Sequence, residues 1–233
     1  MMITFCIPCM NRVDDLKKIM PYLIDNANSS PKVEILILDY NSTDDLEQYI
    51  KRVQSDGDLA YPNKLTYVRY HGRNYYHMAH ARNMACMLAE GEYIISYNAD
   101  FIAKEGFIKR IREIIEEENP VFIKDGTRGL EFCGVIVCKK KEFMDAGGFD
   151  ERFEFYGPED KELVARLTRR GGKSANLPNE LLEVIPTPDS EREKNYRVKL
   201  KKREMSHLMR EFLIENEKNK VLVANGGRPF GQW

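Results

Sequence analysis

Two-thirds of the way along the chain, Gly157-Pro158-Glu159-Asp160 sets two carboxylates side by side where a helix is predicted to begin. Pro158 suits the first helical position and the acids follow in the first turn. Leu163, Val164 and Leu167 supply an apolar face, Arg166, Arg169 and Arg170 load the last turn, and Gly171-Gly172 ends the helix. Acids in a first turn complement the helix dipole, and that alone accounts for the pattern. The approach to the pair supports a second reading. Phe153, Phe155 and Tyr156 lead into it, so faces on which a sugar ring stacks would adjoin a carboxylate able to take a proton from a hydroxyl. Further polar clusters follow apolar runs at Pro8 to Arg12, at Asp39 to Asp44 and at Asn98-Ala99-Asp100. Asp39 offers acceptors to a base N–H or to ribose hydroxyls. Asn98 and Asp100, two apart, point to one side of an extended chain. Their oxygens suit a hard divalent ion, Mg²⁺ or Mn²⁺, which would in turn hold a diphosphate.

The elements that must position these groups alternate in type. Ile3–Ile7 is a short apolar strand stopped at Pro8, and Leu16, Ile19, Met20, Leu23 and Ile24 share one helical face, with Pro21 predicting a kink or break. Val33–Leu38 is a nearly continuous apolar run, as in a parallel strand buried on both faces. Ser42 is placed to cap the following helix, with Asp45 three residues on as its partner. Leu65–Tyr70, Glu92–Tyr97, Val121–Lys124 and Phe132–Cys138 read as strands, Tyr76–Ala89 and Phe107 to Ile115 as helices, and Lys173–Ile185 as a last strand or two. The alternation predicts an α/β fold with a mostly parallel central sheet flanked by helices. Such sheets bind ligands outside the carboxyl ends of their strands, which is where the polar clusters fall. There is no GxGxxG and no GxxxxGK[ST], so acids, amides and arginines must hold the ligand.

Composition narrows the class. With 42% hydrophobic and 31% charged residues in 233, the chain reads as globular, and a formal net charge of -1 argues against a dedicated nucleic-acid binder. No apolar run is long enough to span a bilayer. The opening MMITFCIPCMNR lacks a basic region and reads as a strand rather than a signal peptide, which leads us to expect a cytoplasmic protein. Cys6, Cys9, Cys86, Cys133 and Cys138 lie on predicted strands or a helix without zinc-finger spacing, as buried thiols do. His77 and His80 are expected on a helix surface or edge, and His207 in a charged helix.

FCIPCMNRVDDL, LDYNSTDD, AHARNMACMLAEGEYIISYNADFI and FCGVIVCKKKEFMDAGGFDERFEFYGPEDKEL together resemble inverting glycosyltransferases of the GT-A fold. They are similar to family 2, and nearest to the beta-galactosyltransferase type, over roughly Ile3 to Asn195. The resemblance implies a GT-A catalytic domain over 1–189, with a nucleotide-binding half to about 100 and an acceptor-binding half to 189, then a helical extension and glycine-rich tail over 190–233. It places Pro8, Asn11, Arg12, Asp39, Arg82, Asn98 and Asp100 at the donor, with Asn98-Ala99-Asp100 standing for DxD and Asp100 as metal ligand. It makes Asp160 the catalytic base and puts Glu159, Tyr156, Phe155 and Gly134 on the acceptor side. Asp189 falls at or near the position where relatives supply a metal-binding His. The implied donor is a nucleotide-diphosphate sugar, foremost a UDP-sugar, the acceptor a hydroxyl of a saccharide or glycoconjugate, and the cofactor Mn²⁺ or Mg²⁺. Departures are Asn98 for the first acid of DxD, Tyr156 for Trp and Pro158 for Gly.

Rival readings are a nucleotidyltransferase, which would have little use for the GPED platform, a non-catalytic nucleotide-sugar-binding protein, and an inert fold whose clusters merely cap helices. The extension carries a run of basic residues from Arg192 to Arg210. It reads as a solvated helix face, or as an arm for an anionic acceptor or for peripheral contact with an anionic membrane. The tail from Asn225 ends in Trp233 and is expected to order over a bound ligand, with Phe230 or Trp233 stacking on a sugar.

Overall fold

Strands β1 (Ile3–Cys9) and β2 (Val33–Asp39) are buried along their whole length. Their side chains alternate between two apolar layers: Ile3, Phe5 and Ile7 face one, while Cys6, Leu36 and Leu38 face the other. The computed structural model describes residues 1–61, 64–125 and 134–233. The remaining strands are β3 (Leu65–Arg69), β4 (Tyr93–Ser96), β5 (Phe101–Ala103), β6 (Phe122–Asp125), β7 (Ile136–Lys139), β8 (Ser174–Leu177) and β9 (Leu182–Val184). The helices are α1 (Val13–Asn28), α2 (Leu46–Ser55), α3 (Met78–Leu88), α4 (Phe107–Glu118), α5 (Lys140–Asp145), α6 (Glu159–Arg169), α7 (Asp189–Glu193) and α8 (Lys202–Lys218).

Seven strands form one sheet in the order β3-β2-β1-β4-β7-β6-β8, and β5 pairs with β9 in a small antiparallel ribbon. Strands β1 to β4 are parallel, β7 runs antiparallel to both β4 and β6, and β8 is parallel to β6. The mostly parallel α/β sheet expected from the strand–helix alternation is therefore present. Helices α1, α2 and α4 cover one face, and α3, α5 and α6 the other, with α8 packed on α6.

Local expectations differ from the structure where long-range contacts intervene. Strand β1 runs through Pro8 to Cys9, because its pairing with β4 ends at Cys6 and no ladder bond on that side needs the missing N–H. Helix α1 is continuous across Pro21, which faces solvent together with Lys17, so water can serve the carbonyl that loses its partner. Ser42 does not cap α2, which starts at Leu46 after Asp45 without a side-chain cap bond. Strand β5 has no counterpart in the sequence pattern, and the charged C-terminal stretch, expected to be helical, forms α7 and α8. Cys133 and Phe132, the expected start of β7, lie outside the described residues; Cys6, Cys9, Cys86 and Cys138 are free, buried thiols. His77 and His80 are buried rather than exposed: Tyr40 Oη lies 2.8 Å from His80 Nδ1, and the Gln232 carbonyl 2.9 Å from Nε2.

The tail packs back on the protein and reaches the end of β3. Phe230 is buried against Phe143, the Gly231 N–H donates to Glu151, and Trp233 rests on Tyr70. Several cations of the extension are held internally, Lys201 by Glu193, Lys202 by Asp189 and Arg197 by Glu154.

Candidate active site

The carboxyl ends of β1 and β4 open into a cleft of about 680 Å³. Its floor is the start of α6 and its far wall is chain from Val184 to Lys202. The cleft brings together Pro8, Arg12, Arg82, Asn98, Asp100, Gly134, Tyr156, Glu159 and Asp160. Asn11, Asp39, Phe155 and Asp189 are not among the residues that line it.

Arg82 is the hub. It is delivered by α3, whose Ala79, Ala81 and Ala85 let the helix sit close on the sheet, and it is 4% exposed. Its Nη1 donates to Ser96 Oγ at 2.8 Å and to the Gly134 carbonyl at 3.5 Å, and its Nη2 donates to Asn98 Oδ1 at 2.8 Å. Its Nε stands 3.4 Å from Glu159 Oε1, and the guanidinium lies over the Phe149 ring. One buried cation thus joins the end of β4, the strand-entry glycine and the first turn of α6.

Helix α6 begins at Glu159, with Pro158 as the cap residue rather than the first helical one. Glu159 is buried and its Oε2 has no hydrogen-bond partner among the described residues. Burial pushes its carboxyl up to about 8, against the pull of the Arg82 guanidinium and with a further push from Asp160. Asp160 is partly exposed at the cleft floor, and its Oδ1 accepts from the Lys161 N–H at 2.6 Å. Gly134 faces it with φ +89°; a Cβ there would stand 3.1 Å from Asp160 Oδ2 and 3.6 Å from Asn98 Nδ2. Gly134→Ala should therefore strain the backbone and press Asp160 out of place. We expect kcat for whichever reaction the cleft performs to fall by roughly tenfold or more, with the melting temperature lowered by only a few degrees. Unchanged kcat would show that this close approach has no part in the chemistry.

The excluded residues are occupied elsewhere. Asp39 is fully buried; its Oδ1 accepts from the Ser42 N–H at 2.7 Å, its Oδ2 from Tyr67 Oη at 2.6 Å, and Arg69 Nε lies 3.6 Å away. One oxygen thus serves the turn that follows β2 and the other the neighbouring strand β3. Asn11, at φ 52°, accepts from the Thr43 N–H and donates to Asn195 Oδ1, so it straps three loops together. Asn195 in turn donates to the Met10 carbonyl. Phe155 packs edge-on against Tyr196.

Contributions missed in the sequence come from the wall after Val184. Arg192, Tyr196 and Lys202 all line the cleft, as does Tyr76 opposite. Tyr76 and Tyr196 meet at 6.0 Å, and Lys202 Nζ stands 5.0 Å from the Tyr156 ring centre. Only the concentration of basic residues in this stretch could have pointed to it.

The profile of glycosyl transferase family 2 matches residues 4–136, more than half of the chain. The chain belongs to glycosyl transferase family 2. A second profile, the N-terminal domain of galactosyltransferase, matches residues 123–190 and takes in α6 and the acidic pair. No curated protein matches. Among solved structures, this family 2 chain is similar to a mannosyltransferase from Pyrobaculum calidifontis in complex with GDP-Man and Mn²⁺. The TM-score is 0.64 at 19% identity, over 79% of this chain and 57% of that one, so the chain spans little more than half that protein's length. It is also similar to TarS 1-349 of S. aureus in complex with UDP-GlcNAc, at TM-score 0.69 and 15% identity, over 94% of this chain and 73% of that one. The same S. aureus protein in complex with UDP gives TM-score 0.66 at 15% identity, over 94% and 72%. These likenesses carry the GT-A fold.

The two carboxylates expected to hold Mn²⁺, Asp100 and Asp189, are not brought together. A hard divalent ion needs several oxygens converging on one point. Among the described residues no group of three or more His, Cys, Asp or Glu side chains is placed to hold an ion. Asp100 Oδ2 instead meets Arg192 Nη2 at 2.8 Å and Arg12 Nη2 at 3.6 Å. Asp189, at the start of α7, is 59% exposed and turned to Lys202 Nζ at 3.0 Å, so it does not join Asp100 in the cleft.

Proposed function

We propose that the chain is an inverting glycosyltransferase that moves a sugar from a nucleotide-diphosphate sugar to an acceptor hydroxyl. The observation that carries this reading is the placement of Asp160: a carboxylate at the start of α6 that lines the cleft beside Gly134 and close to Asn98. Such a carboxylate can receive the acceptor proton as the hydroxyl oxygen bonds to the anomeric carbon. The bond from that carbon to the diphosphate oxygen breaks in the same displacement, and its electron pair leaves with the nucleotide diphosphate. Glu159 holds its neighbour Arg82 and offers a proton to orient the acceptor, and Tyr156 and Tyr196 supply faces for sugar rings. The acceptor we assign is a saccharide or glycoconjugate. Uridine is the nucleoside we assign to the donor, in keeping with the UDP and UDP-GlcNAc complexes of the S. aureus fold relative. Among the described residues no helix is long and apolar enough to cross a membrane, and the four free thiols suit a reducing compartment such as the cytoplasm.

The test is a screen of UDP- and GDP-sugars against saccharide acceptors, reading release of the nucleoside diphosphate and the anomeric configuration of the product by NMR. Release of UDP with inverted product is the expected result. Release of pyrophosphate from a nucleoside triphosphate and a sugar phosphate would make the chain a nucleotidyltransferase, and retained configuration would remove Asp160 as base.

Glu159 gives the site a pH signature. Its carboxyl titrates at 4.5 ordinarily and at about 8 in the fold. The folded state keeps the proton between those values, so this group's contribution to stability is full below 4.5 and is lost as pH rises through about 8. Glu159→Gln, which mimics the protonated acid, should flatten that loss. Melting temperatures of the two proteins, compared from about pH 5 to about pH 9, should diverge in favour of the variant as pH rises. Parallel curves would mean that Glu159 is ionised beside Arg82.

A further inference from the structure

A departing nucleotide diphosphate carries negative charge, and the cleft that releases it must meet that charge. On the reading just given, this is a demand on Asp100's surroundings, where carboxylates for a metal do not assemble. Guanidinium groups do. Arg12 enters from the end of β1, oriented by two bonds: Nε donates to Asp15 Oδ2 at 2.7 Å and Nη2 to Thr187 Oγ1 at 3.1 Å. Arg192 enters from α7 on the opposite wall and donates to Asp100 Oδ2 at 2.8 Å. The Nε of Arg192 is buried with no hydrogen-bond partner among the described residues. Two guanidiniums share one carboxylate that is 5% exposed, Arg12 being paired with Asp15 as well, and the buried Nε of Arg192 is a donor still to be satisfied. Lys202, paired with Asp189, lines the same cleft.

We propose that Arg12 and Arg192, held facing each other by Asp100, bind the donor's diphosphate in the place a divalent ion would take, so that donor binding and transfer need no metal. The guanidinium is suited to this role because it stays charged, is weakly hydrated and presents paired donors that match phosphate oxygens. Asp100 is then a positioning residue. It keeps the arginines from repelling each other apart in the empty cleft and yields some of their donors when the diphosphate arrives. The arrangement also gives a place to Asn98 where DxD has its first acid: its amide oxygen accepts from Arg82.

The inference rests on the transferase reading, and calorimetry on the full chain separates the two. Binding of UDP, GDP and inorganic pyrophosphate is measured in EDTA and in Mn²⁺. At least one nucleoside diphosphate should bind in EDTA, with an affinity that Mn²⁺ changes by less than about threefold. Arg192→Ala should weaken binding roughly tenfold or more in both conditions, and Arg192→Lys should recover part of it. Asp100→Asn should weaken it by the same factor with and without the metal, whereas a metal ligand would lose affinity in Mn²⁺ alone. Thermal melts of each variant confirm that the fold is kept. Binding that appears only with Mn²⁺, or that survives Arg192→Ala unchanged in EDTA, overturns the proposal. Failure of the transferase reading looks different: pyrophosphate would bind in EDTA as tightly as UDP or GDP and still depend on Arg192, with no sugar transferred.

Discussion

Asp160→Asn is expected to lower kcat for sugar transfer by about 10²- to 10⁴-fold, the range general-base removal commonly gives. The amide keeps the size of the carboxylate and can still meet the Lys161 N–H, so the start of α6 should remain as it is. What it cannot do is take the acceptor's proton. Donor affinity should stay within about threefold, because in the proposed role Asp160 serves the acceptor hydroxyl and its loss removes an interaction made in the transition state. Steady-state transfer rates and calorimetric titration with UDP check the two halves of the statement. A variant with near-normal turnover would sink the assignment, and one that no longer binds UDP would move Asp160 to the donor.

The largest expected effect on stability comes from Arg166→Ala. Arg166 and Glu162 are both fully buried and joined through Nη2 and Oε2 at 2.7 Å. Arg166 also donates to the carbonyls of Ala146 and Gly148, while Asn216 of α8 donates to Glu162 Oε1. Removing the cation leaves a carboxylate buried with little to compensate it and frees two carbonyls, which costs about 3–5 kcal/mol for a pair of this kind. In a chain of this size that is roughly a 10 °C drop in melting temperature. The double substitution Glu162→Leu with Arg166→Met should recover most of the loss, since an apolar pair of similar volume avoids the desolvation that the ion pair suffers. The effect also reaches the cleft. The Gly147–Phe149 turn that Arg166 pins carries the ring on which Arg82 lies, so the single variant should lose transfer activity more steeply on warming than wild type. A melting temperature unchanged in Arg166→Ala would show that the buried pair is incidental.

Much of the scaffold was legible because it is written in short-range pattern. VEILIL is apolar on both sides of its pleat and became a strand buried on both faces. Leu16, Ile19, Met20, Leu23 and Ile24 share a helical face and became the inner face of α1. The order of these elements is enough to place Pro8, Asp39 and Asn98 near one rim, because a parallel sheet puts its strand ends together. The cleft residues Arg82, Asn98, Asp100, Glu159 and Asp160 were found in this way and through the resemblance.

What sequence pattern did not contain is the direction in which a loop side chain turns. Asp39, Asn11 and Asp189 have the residue types of ligand contacts, yet Asp39 is taken by Ser42 and Tyr67, Asn11 by Thr43 and Asn195, and Asp189 by Lys202. Arg192 and Tyr196 looked like part of a solvated basic arm, yet they form a wall of the cleft. These outcomes turn on bonds such as Asn11 to Asn195, which joins residues 184 positions apart. Local propensity and periodicity set which segments become strands and helices, since those choices are decided within a turn or a pleat. Whether a carboxylate meets a metal, a hydroxyl or an arginine depends on which distant donor reaches it first and how much water is excluded there, and only the packed chain decides that.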